Sequence, residues 1–351
     1  MNINLQGPIN NLGYGVATFN ICLALARAGC KVSLFPVLDK LDIDGPERFH
    51  QFLSNARFFD KNAPSIKIWH QHDMSCFAGR GKCVGFPIFE LDTFTPLEKH
   101  HLAIPDRLFV CSDWAKETVE KSNTRVNSTD VIPLGVDTSI FSPGPMNSGP
   151  TIFFNIGKWE FRKGHDVLIR AFNEEFGQDE NVKLMLCCTN PFLNQHQTAQ
   201  WTNKISGNKN IHLVPRLKTQ NDIADLIRTC DCGVFPARAE GWNLEALETL
   251  SCGRHLITTD YSAHKMYANY INSSLITIDE LEPAYDNIWG VFRGQGNWAK
   301  LGDFQFDTLR QHMRDIHEIK QAGKLELNQA GIDTANRMTW DNTAQKIMEV
   351  L

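Results

Sequence analysis

Short apolar runs bounded by turn residues alternate along this chain with stretches whose apolar positions recur every three or four residues. That is the pattern of parallel strands covered by helices. In the first half, INLQGP reads as an opening strand, and GVATFNICLALARA (residues 15–28) reads as a helix closed by Gly29. KVSLFPV, SIKIWHQHD and VGFPIFELD follow as strands, RLFVCSDWAKETVEKS as a strand with its helix, and VIPLGVD as the last strand of this half. The segment FSPGPMNSGPT (residues 141–151) has no hydrophobic period and reads as a linker. The alternation then restarts with TIFFNIGKWEFRKG, the helix HDVLIRAFNEEF, and the strands VKLMLCCT and NIHLVPR. It continues through the helix NDIADLIRT and the strands CGVFPAR and HLITTDYS, and TWDNTAQKIMEVL ends the chain as a helix. Two doubly wound domains are expected, with a cleft between them and ligands at the carboxyl ends of the strands.

Composition narrows this picture only slightly. The chain has 351 residues, 42% of them hydrophobic and 21% charged, which suits two domains of ordinary size. Its net charge of −5 supplies no global positive field for nucleic acid or anionic lipid. The ten cysteines lack metal-site spacing and a secretory leader, and they read as reduced core thiols. Cys230 and Cys232, in TCDCGVF, read as buried at a strand start. No apolar run approaches the ~20 residues that span a bilayer. The expected location is the cytoplasm, with peripheral attachment to a membrane as the variant.

The candidate chemistry gathers at strand ends. EGWNLEALETLSCG (residues 240–253) sets Glu240 and Glu248 on either side of the Gly241 turn and a helix start, whose face is marked by Leu244, Leu247 and Leu250. Uncompensated N–H groups near residues 242–245 suit an anionic or hydroxyl-rich ligand, and flanking carboxylates suit ribose and sugar hydroxyls. A carboxylate beside a helix start also serves simply as a dipole partner. In GPINNLGYG, Gly13 and Gly15 let backbone amides approach phosphate, although Thr18 breaks the dinucleotide fingerprint. GKWEFRKG clusters Lys158, Arg162 and Lys163 between a strand and a helix, where cations could neutralise a diphosphate leaving group. His70 and His72 emerge from another strand end, without the further ligands a metal site wants. Glu90 and Asp92 end the next strand and read either as helix caps or as acceptor-side groups.

Taken together and in order, these motifs resemble the retaining glycosyltransferases of family 4. The matching pieces are the GYG loop, CSDWAKETVEKS with VIPLGVDTSIFSP, GKWEFRKGHDVLIRAF, and EGWNLEALETLSCG with LITTDYSAHKMY. The resemblance implies an α/β fold of GT-B architecture, with two facing Rossmann-like domains, each a mainly parallel sheet covered by helices. Residues 1–145 would form the acceptor-side domain and 146–330 the nucleotide-sugar donor domain. The final helix, within 331–351, would pack back toward the first domain. It further implies that Glu248 binds the ribose hydroxyls, that Glu240 lies beside the donor sugar, and that Gly241 with the amides of Trp242, Asn243 and Leu244 holds sugar and phosphate. Lys158 and Lys163 fall at the diphosphate-binding positions, with Arg162 sharing the second role. His72 matches the histidine near the donor sugar, Gly13 and Gly15 fall in the diphosphate-contacting loop, and VPRL, with Arg216 and Leu217, falls where the base is contacted. Tyr261 and Ser262 stand where many members have a glycine-containing turn.

The function implied is transfer of a sugar from a nucleotide donor to an acceptor hydroxyl with retention of configuration, with a UDP-sugar favoured over a GDP-sugar. The roles assigned as catalytic are those of Glu240, His72, Lys158 and Lys163. No metal and no cofactor is expected beyond the nucleotide-sugar substrate. A glycan or lipid-linked sugar is the leading acceptor, and a modified base in DNA, as in phage-type hypermodification, is the alternative. A nucleotide-sugar epimerase of the same architecture is the rival enzyme class.

Overall fold

Strands covered on both faces need no polar side, which is why so many of the apolar runs are continuous rather than alternating. The computed structural model describes residues 1–38, 41–43, 45–179 and 181–351. They form two units, Met1–Gly135 with Met338–Leu351, and Val136–Arg337.

In chain order the first unit contains β1 (Asn2–Gly7), α1 (Gly13–Arg27), β2 (Lys31–Pro36), α2 (His50–Ala56), β3 (Ser65–Trp69) and β4 (Cys83–Pro87), then α3 (Pro96–Leu102), β5 (Arg107–Val110), α4 (Asp113–Lys121) and β6 (Thr129–Val131). Its six strands are parallel in the order β2-β1-β3-β4-β5-β6. The order reverses between β1 and β3, so the loops after these two strands open at the point where α/β sheets collect ligands.

The second unit begins with β7 (Thr151–Gly157), α5 (His165–Phe176), β8 (Val182–Cys188), α6 (Gln195–Ile205), β9 (Ile211–Leu213), α7 (Gln220–Thr229), β10 (Cys232–Phe235), α8 (Leu244–Ser251), β11 (His255–Thr259) and β12 (Ser274–Ile276). The antiparallel hairpin β13 (Leu281–Tyr285) and β14 (Arg293–Ala299), then α9 (Asp303–Gln321) and α10 (Gln329–Arg337), complete it. Its sheet runs β9-β8-β7-β10-β11-β12, all parallel: the unit's third, second and first strands followed by its fourth, fifth and sixth. This is the Rossmann order, with its switch point between β7 and β10. The core lies between sheet and helices, where Phe153, Leu168, Phe172, Leu184, Val234 and Ile257 are fully or almost fully buried. The fold class is therefore the one expected: two Rossmann-like units of the GT-B type, each a parallel sheet covered by helices.

The chain returns to the first unit through α11 (Trp340–Val350), which packs on α1 and places Arg27 against Asp341 at 2.6 Å. The division at 135/136 lies ahead of the linker expected at 141–151. That segment is strapped to the second unit: Phe141 is buried, Arg228 donates to the Ser142 carbonyl at 3.4 Å, and Arg254 donates to that of Pro145 at 2.8 Å. Prolines and glycines erase its hydrophobic period, yet its carbonyls still find arginine donors.

All ten cysteines are free; eight are buried, as core thiols would be, whereas Cys76 is exposed and Cys83 half-buried, and burial pushes the Cys230 and Cys252 thiols up to about 12. Among the described residues no helix is long and apolar enough to cross a membrane.

One glycine joins the two strands at the second switch point. Gly164 has φ 71°, and a Cβ there would lie 2.0 Å from the Pro236 carbonyl oxygen just beyond β10. Gly164→Ala combines left-handed strain with a backbone clash and is expected to cost about 2–4 kcal/mol. A thermal melt should show a fall of several degrees.

Candidate functional site

The loop after β7 carries residues 158–163, and the loop after neighbouring β10 carries residues 236–243. A buried amide locks these strand ends together: Asn155 donates to the Val234 carbonyl at 2.7 Å, and its oxygen pairs with His165 Nε2 at 3.0 Å. Burial, and then Lys163, lower the His165 pKa to about 4, so the imidazole is neutral.

On this frame five charged side chains alternate in sign. Lys158 Nζ pairs with Glu160 Oε1 at 2.9 Å, and the Arg162 guanidinium reaches Glu160 Oε2 at 2.8 Å. Arg162 also reaches Glu240 Oε2 at 2.8 Å, and Lys163 Nζ reaches Glu240 Oε1 at 2.8 Å. Glu160, Arg162, Lys163 and Glu240 are buried, while the Lys158 side chain is 31% exposed. Burial works against charge on Glu240, but Arg162 and Lys163 outweigh it and hold the carboxyl far below the usual carboxylate range. For Lys163, burial is likewise outweighed by Glu240 and then Glu245, so its pKa is raised and the ammonium stays charged.

Arg162, expected to share the diphosphate, instead turns inward onto Glu160, Glu240 and the Ala239 carbonyl. Sequence reasoning passed over Glu160, because a lone acid inside a basic turn looks like solvated surface. It also passed over the hairpin between β13 and β14. Trp289 of that hairpin stacks on Phe192 at 5.7 Å, and Lys158 Nζ lies 4.9 Å from the Trp289 ring and 5.6 Å from that of Phe192. Asp286, beneath the same turn, accepts from the Phe161 N–H at 3.4 Å.

The EGWN turn is braced from behind. Asn243 is the N-cap of α8 with φ 71°, a left-handed conformation that asparagine tolerates better than most residues, and its side chain accepts from the Ala246 N–H. Its amide nitrogen donates to His264 Nε2 at 2.9 Å, and Tyr267 Oη donates to the Trp242 carbonyl at 2.9 Å and the Asn243 carbonyl at 3.1 Å. Burial lowers the His264 pKa to about 4. The Glu240 N–H donates to Ser262 Oγ at 2.9 Å. Ser262 itself has φ 51°, the backbone that a glycine-containing turn would supply at this point. Ser262, His264 and Tyr267 were legible only as part of the LITTDYSAHKMY match, with no role attached.

Of the remaining expected residues in this unit, Gly241, Trp242 and Leu244 are buried in the turn and at the helix start. Glu248 is 6% exposed; burial, and then Glu245, push its pKa well above the carboxylate range, and among the described residues no cation pairs with it. Arg216 is exposed and Leu217 half-buried in the loop after β9.

In the first unit the start of α1 meets the residues just after β3 and β4. Tyr14 Oη donates to the Ile88 carbonyl and lies 3.3 Å from His70 Nδ1, and the rings of His70 and His72 stack at 5.1 Å. His72 is exposed. Gly13 is open, whereas a Cβ on Gly15 would lie 2.2 Å from the Asn10 carbonyl oxygen, so the turn itself requires that glycine. Glu90 and Asp92 lie beyond the end of β4 and do not cap α3, whose N-cap is Thr95 in a capping box with Glu98.

A Rossmann-ordered sheet thus gathers cations, carboxylates and a helix start at its switch point, the place where α/β sheets collect ligands. Residues 150–287, all within the second unit, match the family model described as Glycosyl transferases group 1. The chain is 24% identical over 174 residues to a D-inositol 3-phosphate glycosyltransferase of Streptosporangium roseum, a match covering 44% of this chain and 40% of the relative. It is 20% identical over 230 residues to one of Segniliparus rotundus, covering 62% and 45%. The chain thus spans less than half the length of these curated relatives. Among solved structures, sucrose-phosphate synthase from Thermosynechococcus elongatus superposes with TM-score 0.71 at 13% identity, covering 100% of this chain and 98% of that one. Anabaena HepE in complex with UDP and glucose does so with TM-score 0.72 at 13% identity, covering 100% and 99%.

Proposed function

We propose that the protein transfers a glycosyl group from a nucleotide-sugar, with a UDP-sugar first and a GDP-sugar second, to an acceptor hydroxyl with retention of configuration. The observation that carries this reading is the charged cluster at the β7–β10 switch point, where Lys158 and Lys163 flank two buried carboxylates beside the start of α8. The match to a glycosyltransferase group 1 domain, the D-inositol 3-phosphate glycosyltransferase relatives and the UDP and glucose held by HepE support it.

In this reading the bond between the anomeric carbon and the diphosphate oxygen breaks while the acceptor oxygen bonds to the same face. The acceptor proton passes to the departing phosphate. Lys158, Lys163 and the N–H groups at the start of α8 stabilise the charge that develops on the diphosphate. Glu240, held ionised, is suited to accept hydrogen bonds from the donor sugar rather than to donate a proton. Glu248 takes the ribose hydroxyls. The opposite displacement of the two glutamates resembles the acid pair of a glycoside hydrolase, but the cations gathered at Glu240, Arg162 and Lys163, suit a phosphate leaving group rather than a hydrolase's alcohol. The acceptor proposed is a glycan or a lipid-linked sugar.

The test is incubation of the purified protein with UDP-glucose or GDP-mannose alone, followed by NMR. Slow hydrolysis releasing the α-anomer first supports a retaining transferase. Release of the β-anomer overturns retention, and an epimerised nucleotide-sugar moves the protein to the epimerase class.

A further inference from the structure

The cluster divides its carboxylate oxygens in a regular way. Glu160 gives Oε2 to Arg162 and Oε1 to Lys158, and Glu240 gives Oε2 to Arg162 and Oε1 to Lys163. Each carboxylate therefore has one inward partner, shared through a single planar guanidinium, and one lysine. The lysines are the less buried members, at 31% and 11% side-chain exposure, against 4% for Arg162. A buried carboxylate stripped of its only cation carries a heavy penalty, whereas one that keeps a charge-assisted partner does not.

Resting on the glycosyltransferase reading, we infer that Arg162 is a positioning residue that lets Lys158 and Lys163 leave Glu160 and Glu240 for the donor diphosphate, and so opens Glu240 Oε1 to the donor sugar. In the free protein the lysines sit on the carboxylates, and Phe192 and Trp289 hold Lys158 near the surface by their ring faces. When the diphosphate arrives, both lysines turn to its oxygens. Arg162 stays on both Oε2 atoms, and neither carboxylate is left alone. A hydroxyl of the sugar then donates to the vacated Oε1 of Glu240. Only a planar guanidinium with donors on two edges serves both carboxylates at once, which a single ammonium cannot do.

The test measures calorimetric affinity for UDP, UMP, GDP and GMP at fixed salt in the full chain. The wild type is expected to bind one diphosphate at least tenfold more tightly than its monophosphate. In Arg162→Met the lysines become the only partners of the carboxylates, so this ratio should collapse toward one while the monophosphate affinity stays within about twofold. Arg162→Lys preserves the charge but serves one carboxylate, and should give an intermediate ratio; it carries the test if Arg162→Met does not fold. Glu160→Gln releases Lys158 and should keep or raise the ratio. A wild-type ratio in either Arg162 variant, an equal loss for both nucleotides, or a parallel loss in Glu160→Gln overturns the inference. A wild type with no diphosphate preference overturns the glycosyltransferase reading itself.

Discussion

Replacing Lys163 by methionine is expected to lower kcat for a UDP-sugar about 100- to 1,000-fold, the loss typical of removing one preorganised group that faces developing charge, or about 2.7–4 kcal/mol. The size follows from burial. Lys163 is 9% exposed and its pKa is raised, so its charge is present at all working pH values and is poorly screened by water. Methionine fills similar space, and Glu240 keeps its contact with Arg162, so the variant is expected to fold. The full cost of stranding a buried carboxylate, about 3–5 kcal/mol, does not apply when a second cation remains. Lys158→Met should lose less, because that side chain is 31% exposed and its Glu160 partner also keeps Arg162. Single-turnover rates with calorimetric melts on both variants check this. Equal rate losses at the two positions would mean that burial does not set the strength of the site.

Lys163 could be singled out from the sequence because a strand, a basic turn and a helix follow one another in TIFFNIGKWEFRKGHDVLIRAF, and hydrophobic period places such a turn at a strand's carboxyl end. The same pattern located the two sheets and the start of α8, because continuous apolar strands and leucines at spacings of three are properties of single elements. Pairing across elements is different in kind. Nothing in GKWEFRKG says that Arg162 turns inward to bridge Glu160 and Glu240, 78 residues away from it, because that choice depends on the neighbouring strand. The hairpin β13–β14 escaped notice for another reason: Gly290, Gly294 and Gly296, all with positive φ, interrupt the apolar alternation a strand needs to be seen. Its Trp289 nevertheless holds Lys158. The segment 141–151 differs in the opposite sense, looking like linker while Arg228 and Arg254 bind carbonyls within it.

Glu248 supports the second large effect: donor binding should release protons, and Glu248→Gln should abolish that release. Burial, and then Glu245, raise the carboxyl's pKa in the free protein, so near its own pKa the group carries part of a proton. Relative to the unfolded chain, whose glutamate titrates near ~4.3, the folded protein binds this proton more tightly. Stability attributable to Glu248 is therefore highest below that value and declines as pH rises through the raised folded-state pKa. Hydroxyls of a ribose donate to the ionised form and favour it, which lowers the pKa in the complex. Donor affinity should accordingly rise with pH across the raised pKa and level off above it. Calorimetry of UDP binding in two buffers of different ionisation enthalpy should show release of up to about one proton, disappearing in Glu248→Gln. Glu248→Ala, which removes two charge-assisted hydrogen bonds, should weaken UDP by about 100-fold or more. Uridine should lose the same factor, because its ribose makes the same contacts and only the diphosphate is missing. A variant that loses UDP but not uridine would place Glu248 at the phosphates, and one that binds both as before would remove it from the site.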